Sequence, residues 1–190
     1  IITGLVGSEM CIRDRYKLTL EVGETSYNSE FEILKNPNFS VSDEDYLDLD
    51  KYATHMENNF NEMAKYINSN KELMDKLGIL VKELDENSEV KENGKKLLEL
   101  MDNWDKKMMQ RMSKAYDDVE NFPNKFLADY LFILDEIKGD IPNVSEGILK
   151  SLKSHDEKWV ELKKEIDEIN QVNIPQYNKE LWSIGIGALN

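Results

Sequence analysis

The sequence has few of the residues from which reactive centres and disulfide frameworks are built. Its 190 residues include one cysteine, Cys11, and two histidines, His55 and His155. A single cysteine excludes an intrachain disulfide. The histidines do not form the Glu-x-x-His pairs of a di-iron bundle, because Tyr52 and Leu152 stand three residues before them. The chain therefore offers little material for thiol or metal chemistry.

Basic residues are also in the minority. The chain has 24 Lys and Arg against 38 Asp and Glu, a formal net charge of −14. Nucleic acids and anionic lipids both require a basic footprint, so neither is an expected partner. The most apolar segment, Phe122–Gly139, contains charged residues and is shorter than the roughly 20 apolar residues of a membrane span. We therefore expect no nucleic-acid binding and no membrane span.

Residues 1–15 do not read like part of a protein domain. Met10–Arg15 reads Met-Cys-Ile-Arg-Asp-Arg, which the codons ATG TGT ATA AGA GAC AGN encode. That string resembles the transposon end used to tag DNA in sequencing libraries. A signal sequence is the alternative, but no basic region precedes Ile1–Gly7. We interpret residues 1–15 as a non-native, adaptor-derived segment and expect the natural reading frame to enter near Tyr16.

A β-hairpin is predicted over residues 16–36. Apolar and polar residues alternate from Tyr16 to Val22 and again from Tyr27 to Ile33, with a turn at Gly23–Thr25. This alternation predicts strands with one buried face. Two strands alone are marginally stable in water. Either the hairpin lies against the helices, or it is the end of a β-sandwich whose other strands are missing.

Amphipathic stretches follow, and they predict a mainly α fold: an antiparallel up-down bundle of about four helices over residues 42–182. The predicted helices run from Ser42 to about Asp85, from about Glu89 to Asp117, from Phe122 to Gly139, and from Ser145 to about Asn173, where Pro175 kinks or ends the last one. Phe122–Gly139 is apolar on most of its circumference, so we expect the other helices to pack around it.

On each of the other amphipathic helices, apolar residues recur every three to four positions and form a stripe, here called a seam. These seams predict the core. Their buried positions are Leu49, Ala53, Met56, Phe60, Met63, Ile67, Met74, Leu77, Val81 and Leu84; Leu97, Met101, Trp104, Met108 and Ala115; and Ile148, Leu152, His155, Trp159, Leu162, Ile166 and Ile169. In the third helix, Pro123 is expected in the first turn and Gly139 at the carboxyl-terminal cap. Trp182 follows the proline and is expected to be the freest of the three tryptophans.

The sequence predicts no catalytic, cofactor-binding or metal-binding residue. Ser154, His155 and Asp156 are adjacent, but successive helical residues point about 100° apart and cannot converge as a triad. His155 is therefore expected to be a packed or hydrogen-bonded core residue. The acidic run from Asp85 to Glu89 lacks the glycine and the closing glutamate of a calcium loop. Gly185–Gly187 follows no strand, so it is not a dinucleotide fingerprint.

Two segments carry a resemblance to a known family. The hairpin with Lys35-Asn36-Pro37-Asn38 and the Ser-x-x-Asp helix start after it, together with Phe122-Pro123-Asn124-Lys125-Phe126, resembles the carboxyl-terminal region of bacterial BNR-repeat proteins. These are related to sortilin-type β-propellers and are commonly labelled glycosyl hydrolases. The resemblance spans nearly all of Tyr16 to Leu181. It implies a secreted or cell-envelope protein whose propeller, with any active site, lies upstream, and it transfers no catalytic residue to this chain.

The resemblance implies a function without chemistry for this part of the chain. We expect a non-catalytic carboxyl-terminal accessory or interaction domain that packs against its own propeller or binds a protein partner. A free-standing helical interaction module or extracytoplasmic sensor segment is the alternative. An enzyme with an acidic cleft among the helices is the least favoured interpretation.

Overall fold

The fold is a helical bundle preceded by a β-hairpin. A computed structural model describes residues 15–34, 37–86, 88–114, 119–139 and 141–189. The strands are β1 (Arg15–Val22) and β2 (Thr25–Glu32), and the helices are α1 (Asp43–Glu83), α2 (Glu89–Met108), α3 (Phe126–Ile137), α4 (Glu146–Glu168) and α5 (Ile174–Ser183). The predicted mainly α fold with a preceding hairpin is confirmed. The adaptor hypothesis concerns residues that lie, apart from Arg15, outside this description.

α1 is the longest element, with 41 residues, and it begins as predicted. The Ser42 hydroxyl accepts a hydrogen bond from the Asp45 backbone N–H at 3.1 Å, and the Asp45 carboxylate accepts one from the Ser42 N–H at 2.8 Å. These two reciprocal hydrogen bonds satisfy the backbone N–H groups of both residues and fix the helix start. The helix then runs without interruption past Asn68–Asn70, and most of the predicted seam is buried. The exceptions are Phe60 and Met74, which are only partly buried.

α2 runs antiparallel to α1. Near the middle of α1, the buried Asn70 amide donates to the Met101 carbonyl at 3.2 Å. At the end of α1, the Lys91 ammonium donates to the Leu84 carbonyl at 3.0 Å and so caps that helix. Residue numbers thus rise along α1 while they fall along α2. Lys91 is buried because its charge meets a helix carboxyl terminus, where a cation is favoured.

α4 runs parallel to α1. His55 meets Asp156 at 2.8 Å, and further along both helices the Tyr66 hydroxyl donates to Asp167 at 2.7 Å. The bundle therefore consists of three rods: α1, then α2 followed by α3, then α4 followed by α5. Consecutive rods alternate in direction, as an up-down bundle requires.

α2 and α3 occupy successive levels of the middle rod. α2 lies along the carboxyl-terminal half of α1, whereas α3 lies along its amino-terminal half, where Lys138 pairs with Glu57. Four α3 side chains enter the core: Tyr130, Ile133, Leu134 and Ile137. Phe132, however, is 65% exposed, so the prediction that this segment is surrounded by the other helices is wrong. A short helix at one level of the rod has only α1 and α4 beside it and α2 at its end.

The break between α2 and α3 differs from the prediction. α2 ends at Met108 instead of Asp117, because Met109 adopts an extended backbone with φ −132°. The chain then folds back so that Arg111 pairs with the buried Asp105, with Nη2 2.8 Å from Oδ1. A buried carboxylate is costly unless it is paired, so this pair offsets the lost helical turns. The predicted burial of Ala115 falls outside the described residues.

α3 also begins later than predicted. Its first helical residue is Phe126, and Lys125 before it has an extended backbone without a side-chain capping hydrogen bond. The helix therefore does not start at Phe122, and Pro123 lies ahead of the first turn instead of inside it.

Pro175 changes the helix type instead of ending the helix. Residues Ile169–Asn173 form a π-helical turn, in which the Ile174 N–H donates to the Ile169 carbonyl five residues back. Pro175, which has no N–H, then occupies the first turn of α5, where none is needed. The predicted disturbance near Asn173 is confirmed, but the helix continues to Ser183.

The seam of α4 predicts a large stability effect at Trp159. Its ring is 3% exposed and packs edge-to-face on Tyr66. We expect Trp159→Ala to lower the free energy of unfolding by about 3 to 5 kcal/mol in urea titrations, through lost burial and the cavity left behind. Glu161→Ala, an exposed position on the same helix, is the control and should change it by only a few tenths of a kcal/mol. Equal effects would contradict the seam assignment.

Two helical glycines predict opposite effects of the same substitution. At Gly94 of α2, an added Cβ would lie 2.5 Å from the Tyr177 hydroxyl and 2.7 Å from a methyl of Val81, whereas at Gly78 of α1 it would meet nothing within 4 Å. Gly94→Ala should therefore destabilise the fold by roughly 1 to 3 kcal/mol through overpacking. Gly78→Ala should stabilise it by up to about 1 kcal/mol through helix propensity. Thermal unfolding of both variants checks the close approach of α2 and α5.

Candidate functional site

One polar cluster joins α1, α3 and α4. Asp156 of α4 accepts hydrogen bonds through Oδ1 from the Tyr130 hydroxyl at 3.0 Å and from the Asn59 amide at 3.2 Å. Its Oδ2 lies 2.8 Å from His55 Nε2. Asn59 is also 2.9 Å from the Tyr130 hydroxyl. The carboxylate thus meets three side chains from two other helices, and the cluster ties the amino-terminal level of the bundle together.

Burial controls the acid–base behaviour of Tyr130. Its ring is fully buried, and this burial raises the pKa of the hydroxyl well above its ordinary value. The negative charge of Asp156 raises that pKa further, while the hydrogen bond with Asn59 opposes the shift. Tyr130 therefore stays protonated at neutral pH and acts as a hydrogen-bond donor. It is not poised to transfer its proton.

A groove of about 690 Å³ runs between α1 and α4 beside this cluster. Its lining is Lys51, Tyr52, His55, Leu149, Leu152, Lys153, Asp156, Glu157 and Val160. His55 is about half exposed there, with 48% of its side chain accessible. The His55–Asp156 pair resembles the base and orienting acid of a hydrolytic triad, but no serine, threonine or cysteine is among the lining residues. The pair therefore lacks a nucleophile, and its geometry is that of a junction between helices.

His155 is not part of this cluster. It is half-buried, with its ring stacked on Phe126 at 5.9 Å and Nδ1 2.8 Å from the Ser151 carbonyl. The prediction of a packed, hydrogen-bonded histidine is confirmed, but its place in the core is not. Its side chain lies against Phe126 in the first turn of α3, at the edge of the bundle surface. Its neighbour Asp156 bonds to residues of α1 and α3, so no triad forms with Ser154.

The tryptophans lie where the sequence places them. Trp104 is buried, and its indole N–H donates to the Leu162 carbonyl at 2.8 Å. Trp159 is buried as well, whereas Trp182 is exposed. Among the described residues, no group of three or more His, Cys, Asp or Glu side chains is placed to hold a metal ion. Part of the acidic run from Asp85 to Glu89 lies outside those residues.

The second candidate site is one face of the hairpin. The register pairs Tyr16 with Phe31, Leu18 with Ser29 and Leu20 with Tyr27, so the apolar side chains of both strands share a face. On the opposite face Lys17 pairs with Glu30, and Thr19 pairs with Asn28. The Thr19 hydroxyl donates a hydrogen bond to the Asn28 side-chain oxygen at 2.8 Å. The hairpin is thus apolar on one side and polar on the other. Such a face is normally covered by another layer.

Most of this apolar face is exposed, and no described residue outside the hairpin forms a layer over it. Five of its large side chains are well exposed, from 48% at Phe31 to 61% at Leu18, whereas Tyr16 is partly buried. The buried core, as far as the structure describes it, contains no hairpin residue. Within the described residues the prediction of half-buried strands is therefore wrong: the alternation is present, but all of the apolar face except Tyr16 is exposed.

The sequence did not reveal the polar cluster. Asn59 and Asp156 occupy positions that a helical pattern assigns to a solvated surface. The available signal was Tyr130, because a tyrosine inside an apolar stripe needs a partner for its hydroxyl.

Comparison with protein-family models, with curated proteins and with solved structures finds no match to this chain. None of the helices that the structure describes is long and apolar enough to cross a membrane. The function must therefore be argued from the residues and their geometry.

The partly buried Tyr66 predicts a loss of stability at high pH. A free tyrosine ionises near pH 10, but burial and the hydrogen bond to Asp167 raise the pKa of Tyr66 to about 12. Above pH 10 the unfolded chain releases protons that the folded chain keeps, so the free energy of unfolding should fall between about pH 10 and 12. Below pH 10 both states are protonated and this effect vanishes.

Denaturant titrations at several alkaline pH values check this. Tyr66→Phe should make the loss of stability with pH shallower. Phenolate absorbance that shows all eight tyrosines ionising together near pH 10 in the folded protein would contradict the assigned burial.

Proposed function

We propose that this chain is a non-catalytic accessory or interaction domain, the carboxyl-terminal part of a secreted or cell-envelope protein of the BNR-repeat, sortilin-like propeller type. The observation that carries the proposal is the open apolar face of the hairpin. Burying one large apolar side chain contributes roughly 1.5 to 3 kcal/mol, so leaving this face in water forgoes several such contributions. A strand pattern that alternates apolar and polar residues stabilises a fold when a second layer covers its apolar side.

The helical bundle supports the same proposal because it completes its own core. Its buried cluster draws on all five helices and needs no side chain from the hairpin. The hairpin is therefore free to attach the bundle to other β-structure, such as the strands that the family resemblance implies upstream. In this arrangement the bundle serves as a rigid body held at the end of a β-rich protein.

A free-standing interaction module is the second candidate. It is favoured by the same self-sufficient core, since the bundle needs no further domain to fold. Genomic sequence upstream of Tyr16 separates the two: an open frame that encodes propeller blades supports the accessory domain, and a nearby start codon without blades supports the module. Turnover of a glycoside by the isolated chain would revive the enzyme interpretation.

Charge placed on the apolar face tests the attachment. In a longer polypeptide that includes the natural sequence before Tyr16, we expect Leu20→Glu to increase proteolytic cleavage at residues 35–42 by roughly tenfold, because it opens the docked hairpin. Thr19→Glu is the matched control, since it places the same charge on the polar face of the same strand, and it should change cleavage by less than about twofold.

Two outcomes would overturn the proposal. If Leu20→Glu and Thr19→Glu are cleaved alike in the longer polypeptide, the apolar face is not an attachment surface. If the isolated chain already shows the difference, the hairpin docks on its own bundle.

A further inference from the structure

A second open surface lies between α3 and α4, and its lining contains no hairpin residue. It is a groove of about 640 Å³ whose lining includes Phe132 and Ile133 of α3 and Ile148 of α4. Phe132 is 65% exposed, although the helix that carries it is otherwise rich in core residues. An exposed aromatic above an apolar floor is the kind of anchor point that protein interfaces use.

Carboxylates form the rim of this groove. Asp129 and Glu136 line it from α3, both are exposed, and neither side chain has an ion-pair partner among the described residues. With Phe132 between them, they occupy positions i, i+3 and i+7 of the helix. They therefore lie on one face, about 10 Å apart along the axis.

We propose that the α3–α4 groove binds an amphipathic helix of a partner protein that carries basic residues beside an apolar stripe. The spacing on α3 fixes the pattern of that helix: Lys or Arg at i and i+7, with Leu or another large apolar residue at i+3 and i+4. The apolar stripe covers Phe132 and Ile148, and each basic side chain meets Asp129 or Glu136. This is recognition of a helix in a groove, with anchors on successive turns.

Charge decides between this occupant and others. A second copy of the chain carries the same net charge of −14, so its approach to an acidic rim is opposed by repulsion. An apolar helix without basic residues would cover Phe132 but leave both carboxylates without partners beside a less polar surface. A basic amphipathic helix satisfies both features. The proposal concerns a face separate from the hairpin and does not depend on the function proposed above.

A designed peptide tests the pattern. The probe is a helical peptide of about 15 residues with Lys at i and i+7 and Leu at i+3 and i+4, titrated into the full chain by calorimetry at low and moderate salt. We expect saturable one-to-one binding that weakens with salt. A peptide with each Lys replaced by Glu should not bind.

Three variants locate the site. Phe132→Ala, and separately the pair Asp129→Lys with Glu136→Lys, should each weaken binding by at least about tenfold. Asp135→Lys is the matched control, because Asp135 is an exposed carboxylate of the same helix outside the groove, and it should change the affinity by less than about twofold. All substituted positions are exposed, so thermal unfolding should show a folded bundle in each case.

The proposal is overturned by any of three results. Equal weakening by Asp135→Lys would show attraction to the acidic chain as a whole. Full affinity in Phe132→Ala would show that the apolar floor plays no part. Peptide-independent dimerisation that Phe132→Ala abolishes would assign the groove to a second copy of the chain.

Discussion

The apolar stripe of α1 is the contact on which the rest of the structure depends. Its buried members, among them Leu49, Met56, Met63, Leu77 and Val81, extend over a helix about 60 Å long. That length is enough for two shorter helices in succession, so α3 packs at one level and α2 at the other. α4 packs on α3 and α2, and α5 packs on α2, while side-chain hydrogen bonds link α4 to α1. Removing the stripe would leave α2 and α3 each with an uncovered face.

Much of this architecture could be predicted from periodicity, because helical seams repeat every three to four residues whatever the tertiary contacts. The start of α1 at Ser42 and the burial of Trp104 and Trp159 follow from such local rules. The end of α2 did not, because it depends on the pairing of Arg111 with the buried Asp105. Nothing in a helical pattern shows that a carboxylate will be buried and will draw the chain back.

The polar cluster and the α3–α4 groove were unpredictable for a related reason. Asp156 meets His55 only because α4 runs parallel to α1, and that direction follows from α2 and α3 sharing one rod. Phe132 is exposed because α3 has neighbours on only part of its surface. Both features arise from how the rods are arranged, which local sequence does not encode.

The hairpin and the helical bundle differ in how much of their apolar surface is covered. The helices turn their stripes inward and cover one another, whereas the hairpin keeps a strictly alternating pattern and turns its apolar face outward. Reactive chemistry needs groups held ready for a substrate, but the most polar junction in the bundle commits its carboxylate to three neighbouring side chains. The outward face of the hairpin is the surface on which the proposed attachment rests.

Hydrogen exchange of the isolated chain tests this division most directly. Amides of α1 near Met56 should exchange slowly, at rates set by global unfolding, because they lie at the centre of the shared core. Amides of β1 and β2 should exchange many times faster, since a two-stranded sheet without a covering layer opens readily. Hairpin amides as slow as those of α1 would show that the strands already have their partner within this chain, and the account of an open attachment face would be wrong.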